Sequence, residues 1–214
     1  MQIKVCGMRE PDNIREVAAL KIDYMGFIFS EKSPRYVSSD IDFGNCMLSP
    51  DAPKRVGVFV DATIDSIVSH ARRFRLSYVQ LHGNENSDMI TELKEAFIAS
   101  AMPEVRIIKA ISVVDADDVK RWRLYKGIVD MLLFDTKGRV PGGNGKQFDW
   151  SVLNTYDGDI PFLLSGGIGE GDAQRVLSFM HERMIGVDLN SRFEISPALK
   201  DVASLARFIN EIRS

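Results

Sequence analysis

The chain has 214 residues, of which 45% are hydrophobic and 27% charged. That balance excludes a disordered or fibrous protein, and the length can bury a core without a metal or disulfide to hold it. A net charge of −3 gives no basic excess for nucleic acid or anionic lipid, so neither is expected as a partner, while a small local phosphate site stays possible.

Eight short apolar runs follow one another at intervals of roughly 20–30 residues, the spacing of strands that alternate with helices. They are Ile3–Cys6, Tyr24–Phe29, Val56–Val60, Tyr78–Leu81, Val105–Ile111, Met131–Phe134, Phe162–Leu164 and Ile185–Leu189. Their nearly continuous apolarity suits parallel strands covered on both faces. Helical periodicity lies between most of them, at Asn13–Leu20, Ile64–Phe74, Met89–Phe97, Val119–Trp122, Ala173–Met180 and Leu199–Ile212. Thr63 reads as the cap of one helix. Ser196-Pro197 places a capping hydroxyl before a proline and is expected to open the last helix. The stretch Ser38–Lys54 has poor helical pattern and reads as a degraded second helix or an irregular connection. No linker divides the chain, no basic leader precedes an apolar core, and no run is long enough to span a membrane. The expectation is a single (β/α)8 barrel over residues 1–214, compact beside the usual length of about 250. An open nucleotide-binding sheet would need a glycine fingerprint after its first strand, and Cys6-Gly7-Met8-Arg9 is none.

In a (β/α)8 barrel, chemistry belongs to the residues that close each strand, and phosphate to the loops after strands 7 and 8. Cys6 closes the first run, followed by a glycine that admits a ligand; it is either an inert core thiol or a base at the barrel mouth. Cys46 has no such context and reads as structural or incidental, and the two cysteines form neither a metal spacing nor a disulfide framework, which suits a reducing cytoplasm. Asp135 closes the sixth run; it either accepts backbone N–H groups of its own loop or is an acid raised by an apolar rim. The glycine-rich segment from Thr136 to Lys146 lacks P-loop spacing and reads as a covering loop. Ser165-Gly166-Gly167-Ile168-Gly169 follows strand 7 and is expected to bind phosphate, with Asp188 to Ser191 supplying partner groups from strand 8. Arg35, in Ser33-Pro34-Arg35, is either a surface charge or a fork for a carboxylate. His82 is either a rim histidine or a substrate contact.

These motifs, in this order, resemble the phosphoribosylanthranilate isomerase family. Lys4-Val-Cys6-Gly7, Gly26-Phe-Ile-Phe-Ser, Ser33-Pro-Arg35, Val56-Gly-Val-Phe-Val, Val79-Gln-Leu-His82-Gly83, Leu133-Phe-Asp135-Thr136, Gly142-Gly-Asn-Gly-Lys-Gln-Phe-Asp-Trp150, Leu164-Ser-Gly166-Gly167 and Gly186-Val-Asp188 to Ser191 carry the likeness over nearly the whole chain. The resemblance implies a barrel with no cofactor and no metal. It assigns the base to Cys6 and the acid to Asp135, their side chains expected to converge from opposite sides of the barrel. It gives the anthranilate end of the substrate to Arg35 and the phosphate to Gly166, Gly167 and Ser191; His82 and Asp188 are expected as further substrate contacts from their place at the strand ends. The implied partner is a small phosphorylated sugar–anthranilate, and the implied assembly a monomer or homodimer. Arg9 and Arg192 depart from the family pattern, in which threonine and glycine are common. The histidine-pathway isomerase, which does the same chemistry with an aspartate after strand 1, is disfavoured by Cys6. Indole-glycerol-phosphate synthase needs a lysine and a glutamate that have no clear place here. A non-catalytic phosphate-binding barrel would keep the glycines without needing both Cys6 and Asp135.

Overall fold

The computed structural model describes residues 1–38, 41, 52–136, 149–179 and 181–214. The apolar runs form eight parallel strands: β1 (Gln2–Cys6), β2 (Tyr24–Ile28), β3 (Lys54–Phe59), β4 (Tyr78–Leu81), β5 (Arg106–Val113), β6 (Met131–Thr136), β7 (Phe162–Ser165) and β8 (Met184–Leu189). They pair in chain order, and β8 returns to β1 to close the barrel, with Lys4 opposite Asp188 in that last register. Alternation along each strand gives two cores. Tyr24, Val56, Tyr78, Ile108, Met131, Leu133 and Leu163 fill the inside. The intervening residues, such as Ile3, Val5, Leu132, Leu164 and Val187, pack outward against the helices. Both faces of every strand are therefore dry, which is why the runs read as continuous rather than alternating.

Among the described residues six α-helices cover the barrel: α1 (Pro11–Ala18), α2 (Ile64–Phe74), α3 (Ser87–Ala99), α4 (Ala116–Lys120), α5 (Ala173–Ser178) and α6 (Val202–Arg213). Thr63 caps α2 as expected, its side chain accepting from the Ser66 N–H at 3.3 Å. Asn86 caps α3 in the same way through Met89. Among the described residues, 3₁₀ turns continue α4 at Arg121–Tyr125 and occupy Trp150–Thr155 between β6 and β7.

The expected start of the last helix is corrected. Ser196 does not cap it; it ends a short strand, β9 (Glu194–Ser196), that turns back on β10 (Leu199–Lys200). Lys200 is held in that hairpin because its N–H donates to Asn13 and its ammonium to Glu194 and Asn190. The helix begins only at Val202, capped by Asp201, which accepts from Ser204 at 3.1 Å. β6 also runs further than its apolar segment, so Asp135 lies within the ladder, opposite Ser112 and Ser165, rather than in a loop beyond it. Most of Ser38–Lys54, Cys46, and the glycine-rich segment at 137–146 lie outside the described residues. Among the described residues no helix is long and apolar enough to cross a membrane.

Candidate active site

Polar side chains replace apolar ones in the last inward-facing layer of the strands. They surround a cavity of about 180 Å³ at the C-terminal end of the barrel. Seven of the expected site residues line it: Cys6, His82, Asp135, Gly166, Gly167, Asp188 and Ser191. Arg35 does not. β6 and β1 are separated by β7 and β8 alone, so Cys6 and Asp135 approach the cavity from three strand steps apart, one short of the opposite sides anticipated.

Cys6 is buried, and Gly26 makes room for it. The two are register partners between β1 and β2, and a Cβ on Gly26 would stand 2.7 Å from the Cys6 sulfur. Burial pushes the thiol above its ordinary value, and the Asp188 carboxylate adds to that; the Lys4 and Lys200 ammoniums pull the other way and do not win. Lys4 is fully buried, one turn of the pleat below Cys6 on the same inward face. Its ammonium lies 2.7 Å from Asp188 Oδ1. Burial works to discharge Lys4, but Asp188 and the Cys6 thiol outweigh it and raise its pKa. The other oxygen of Asp188 accepts from Ser165 Oγ at 3.1 Å. Both carboxylate oxygens are thus occupied within the protein, and Asp188 forms part of the cavity floor that positions Lys4.

Asp135 faces His82, whose Nε2 is 3.4 Å from Asp135 Oδ2. The Gln80 amide nitrogen lies 2.9 Å from His82 Nδ1. An amide nitrogen can only donate, so with this orientation of the Gln80 amide a neutral His82 accepts on Nδ1 and carries its proton on Nε2, toward Asp135. Gln80 Oε1 is buried and has no hydrogen-bond partner among the described residues.

The turn after β7 is built for close approach. Gly166 and Gly167 have φ of +103° and +65°, the left-handed region that favours glycine. A Cβ on Gly166 would run into the Thr136 carbonyl at the end of β6, whereas one on Gly167 would meet nothing within 4 Å. Gly167 therefore faces open space beside Ser191.

Arg35 stands beside Gly7, where any Cβ would fall 2.6 Å from Arg35 Cδ. Its guanidinium grips Glu194, Nε to Oε1 at 2.8 Å and Nη2 to Oε2 at 2.6 Å. The hydrogen bond to Glu194 raises the Arg35 pKa against the cost of burial. Glu194 in turn lies 2.7 Å from the buried Lys200 ammonium. Burial alone would raise the Glu194 carboxyl, and its two cations bring it below the ordinary range. Sequence reasoning missed Glu194, Lys200, Gln80 and the buried pair Lys109–Glu85. A signal did exist for two of them. Gln80 and Lys109 interrupt strands that are dry on both faces, and a buried polar group needs a partner. Lys200 lay in the pattern read as the last helix and Glu194 just ahead of its expected cap, so nothing local marked them as partners.

A family model described as N-(5'phosphoribosyl)anthranilate (PRA) isomerase matches residues 3–211. The chain belongs to this family. The N-(5'-phosphoribosyl)anthranilate isomerase of Parabacteroides distasonis is 47% identical over 219 residues, which cover 99% of this chain and 93% of that one. The isomerase of Phocaeicola vulgatus is 42% identical, covering 100% and 98%. Among solved structures, a phosphoribosyl anthranilate isomerase in complex with reduced 1-(o-carboxyphenylamino)-1-deoxyribulose 5-phosphate superposes with a TM-score of 0.82 at 28% identity, covering 100% of this chain and 98% of that one. Monomers of the dimeric phosphoribosylanthranilate isomerase from Thermotoga maritima give 0.81, also at 28% identity and with coverage of 100% and 98%.

Proposed function

We propose that this member of the phosphoribosylanthranilate isomerase family converts N-(5'-phosphoribosyl)anthranilate into 1-(2-carboxyphenylamino)-1-deoxyribulose 5-phosphate in tryptophan biosynthesis, with Asp135 as acid and Cys6 as base. The observation that carries this reading is that both side chains line the same cavity. Asp135 gives a proton to the furanose ring oxygen. The C1–O bond breaks toward that oxygen while the nitrogen lone pair forms C1=N. Cys6, as thiolate, then takes the proton from C2; those electrons form C1=C2 and return the lone pair to nitrogen. The enolamine tautomerises to the ketone. His82, with its Nε2–H toward Asp135, supports the carboxylate that remains after the first transfer.

Gly166, Gly167 and Ser191 receive the phosphate. Arg35 receives the anthranilate carboxylate on the Nη1 edge left free by Glu194, so Arg35→Ala lowers kcat/KM by about 10–100-fold, matching a charge-assisted bond of about 1.5–3 kcal/mol. The working unit is a single barrel over residues 1–214, a monomer or homodimer of the cytoplasm, where a thiol such as Cys6 stays reduced.

The deciding experiment is turnover of the aminoaldose by Cys6→Ser and Asp135→Asn. Each loses activity by at least about 100-fold, the lower end of what a positioned acid or base supplies. Both still bind the reduced product analogue. Near-normal turnover by either variant, free of contaminating enzyme, removes the acid–base assignment and favours a phosphate-binding barrel without catalysis.

A further inference from the structure

The cavity carries a charge imbalance. Asp188 is already neutralised by Lys4, and among the described residues that line the cavity Arg192 is the one arginine or lysine left to meet an incoming anion. A phosphate monoester adds a further charge of about −1.5 to −2 at neutral pH. The nearby cations are already engaged: Lys4 with Asp188, Lys200 and Arg35 with Glu194. Arg192 differs from all of them. It makes no ion pair and no side-chain hydrogen bond among the described residues.

Its position is also specific. The guanidinium lies over Gly169, where a Cβ would be 3.0 Å from Nε and 3.2 Å from Nη2. The missing side chain at Gly169 is the space the guanidinium occupies. The Gly169 N–H is spent on Asp172 at 2.8 Å, so it does not compete for a ligand. Arg192 follows Ser191 directly and lines the same cavity as the Gly166-Gly167 turn.

We propose that Arg192 is a phosphate-binding residue, its planar fork closing on the phosphate oxygens of a sugar-phosphate substrate lodged against the Gly166-Gly167 turn. This deepens the isomerase reading and rests on it. A guanidinium presents paired N–H donors that match two phosphate oxygens, and one without a protein partner loses no existing bond when it turns to the ligand. The phosphate charge is then balanced at the rim, away from the carboxylates of the floor.

The test compares the reduced product analogue with its dephosphorylated counterpart, bound to wild type, Arg192→Ala and Arg192→Lys and followed by calorimetry. Arg192 is exposed, so the variants fold, which a melting curve verifies. Arg192→Ala weakens the phosphorylated analogue by at least about tenfold, the size of one charge-assisted bond, and the dephosphorylated one by no more than about twofold. Arg192→Lys recovers part of the loss, and in turnover the penalty falls chiefly on KM. Inorganic phosphate competes with the analogue in wild type and much less in Arg192→Ala. Equal losses for both analogues, or no loss for the phosphorylated one, overturn the proposal while wild-type turnover still stands. A wild type that turns over no aminoaldose overturns the isomerase reading instead, and the inorganic phosphate titration then decides the role of Arg192 separately.

Discussion

Cys6 sits between groups that pull its titration in opposite directions. Burial and Asp188 raise the thiol, and Lys4 lowers it. A thiol raised above its ordinary value is mostly protonated at neutral pH, so a base at this position makes kcat/KM climb with pH until the Cys6 pKa is passed. Each charged neighbour then has a signed effect on that limb. Lys4→Gln removes the cation that favours the thiolate and moves the limb to higher pH. Asp188→Asn removes the anion that disfavours it and moves the limb to lower pH. A pH–rate profile of the two variants measures both shifts, and a limb that stays in place in each would mean that another group sets it. The Lys4 cation favours the thiolate, but the burial that outweighs it could not be read from the sequence, which does not show that Cys6 is enclosed. Gly26 was quoted only as part of a motif, because its role depends on a register partner that no local pattern reveals.

At the level of strands and loops, the cavity wall near His82 is braced from behind. Glu85 accepts from the backbone N–H groups of Asp61 and Gly83, tying the loop after β3 to the loop after β4. Lys109, on β5, lies 2.9 Å from Glu85 Oε2 and donates to the Leu81 and Gly83 carbonyls. Burial lowers the Lys109 pKa, although Glu85 opposes that. Glu85→Ala leaves a buried cation without its carboxylate, and the expected loss is about 3–5 kcal/mol of unfolding free energy in a denaturant titration. Because Gly83 directly follows His82, the same variant loosens the histidine, and kcat/KM falls with stability. A loss below about 1 kcal/mol, the level of an exposed pair, would show that the pair is not a brace. The eight strands were legible because each is covered on both sides and so nearly continuous in apolarity. The β9–β10 hairpin was not, since its cause is long-range: Asn13, far away in the chain, holds Lys200 out of the helix that Ser196-Pro197 suggested. Arg35 was legible as a carboxylate fork, but not that a carboxylate of the protein itself, Glu194, grips it.

Over the whole molecule, closure makes the strands interdependent. A barrel in which β8 returns to β1 has no free edge, and each strand shares its backbone bonds with two neighbours. The single barrel proposed over residues 1–214 therefore unfolds in one transition, with fluorescence of Trp122 and Trp150 and far-ultraviolet dichroism melting together. Two separated transitions would divide the chain into parts that fold independently. Removing residues 184–214 takes away β8 and α6, exposes the edges of β1 and β7, and leaves a chain that neither melts cooperatively nor stays dispersed.

The ion pair that closes this seam joins residues 184 positions apart, Lys4 from the start of the chain and Asp188 from near its end. A ribosome lays down the cysteine and its lysine within the first moments of translation, yet the anchor that fixes the lysine emerges only when synthesis is almost over. No nascent fragment short of β8 can present the thiol in its finished electrostatic setting. On the role proposed for Cys6, proton abstraction begins only after the last strand has been inserted, and the appearance of turnover in a synthesis time course becomes a clock for completion of the ring.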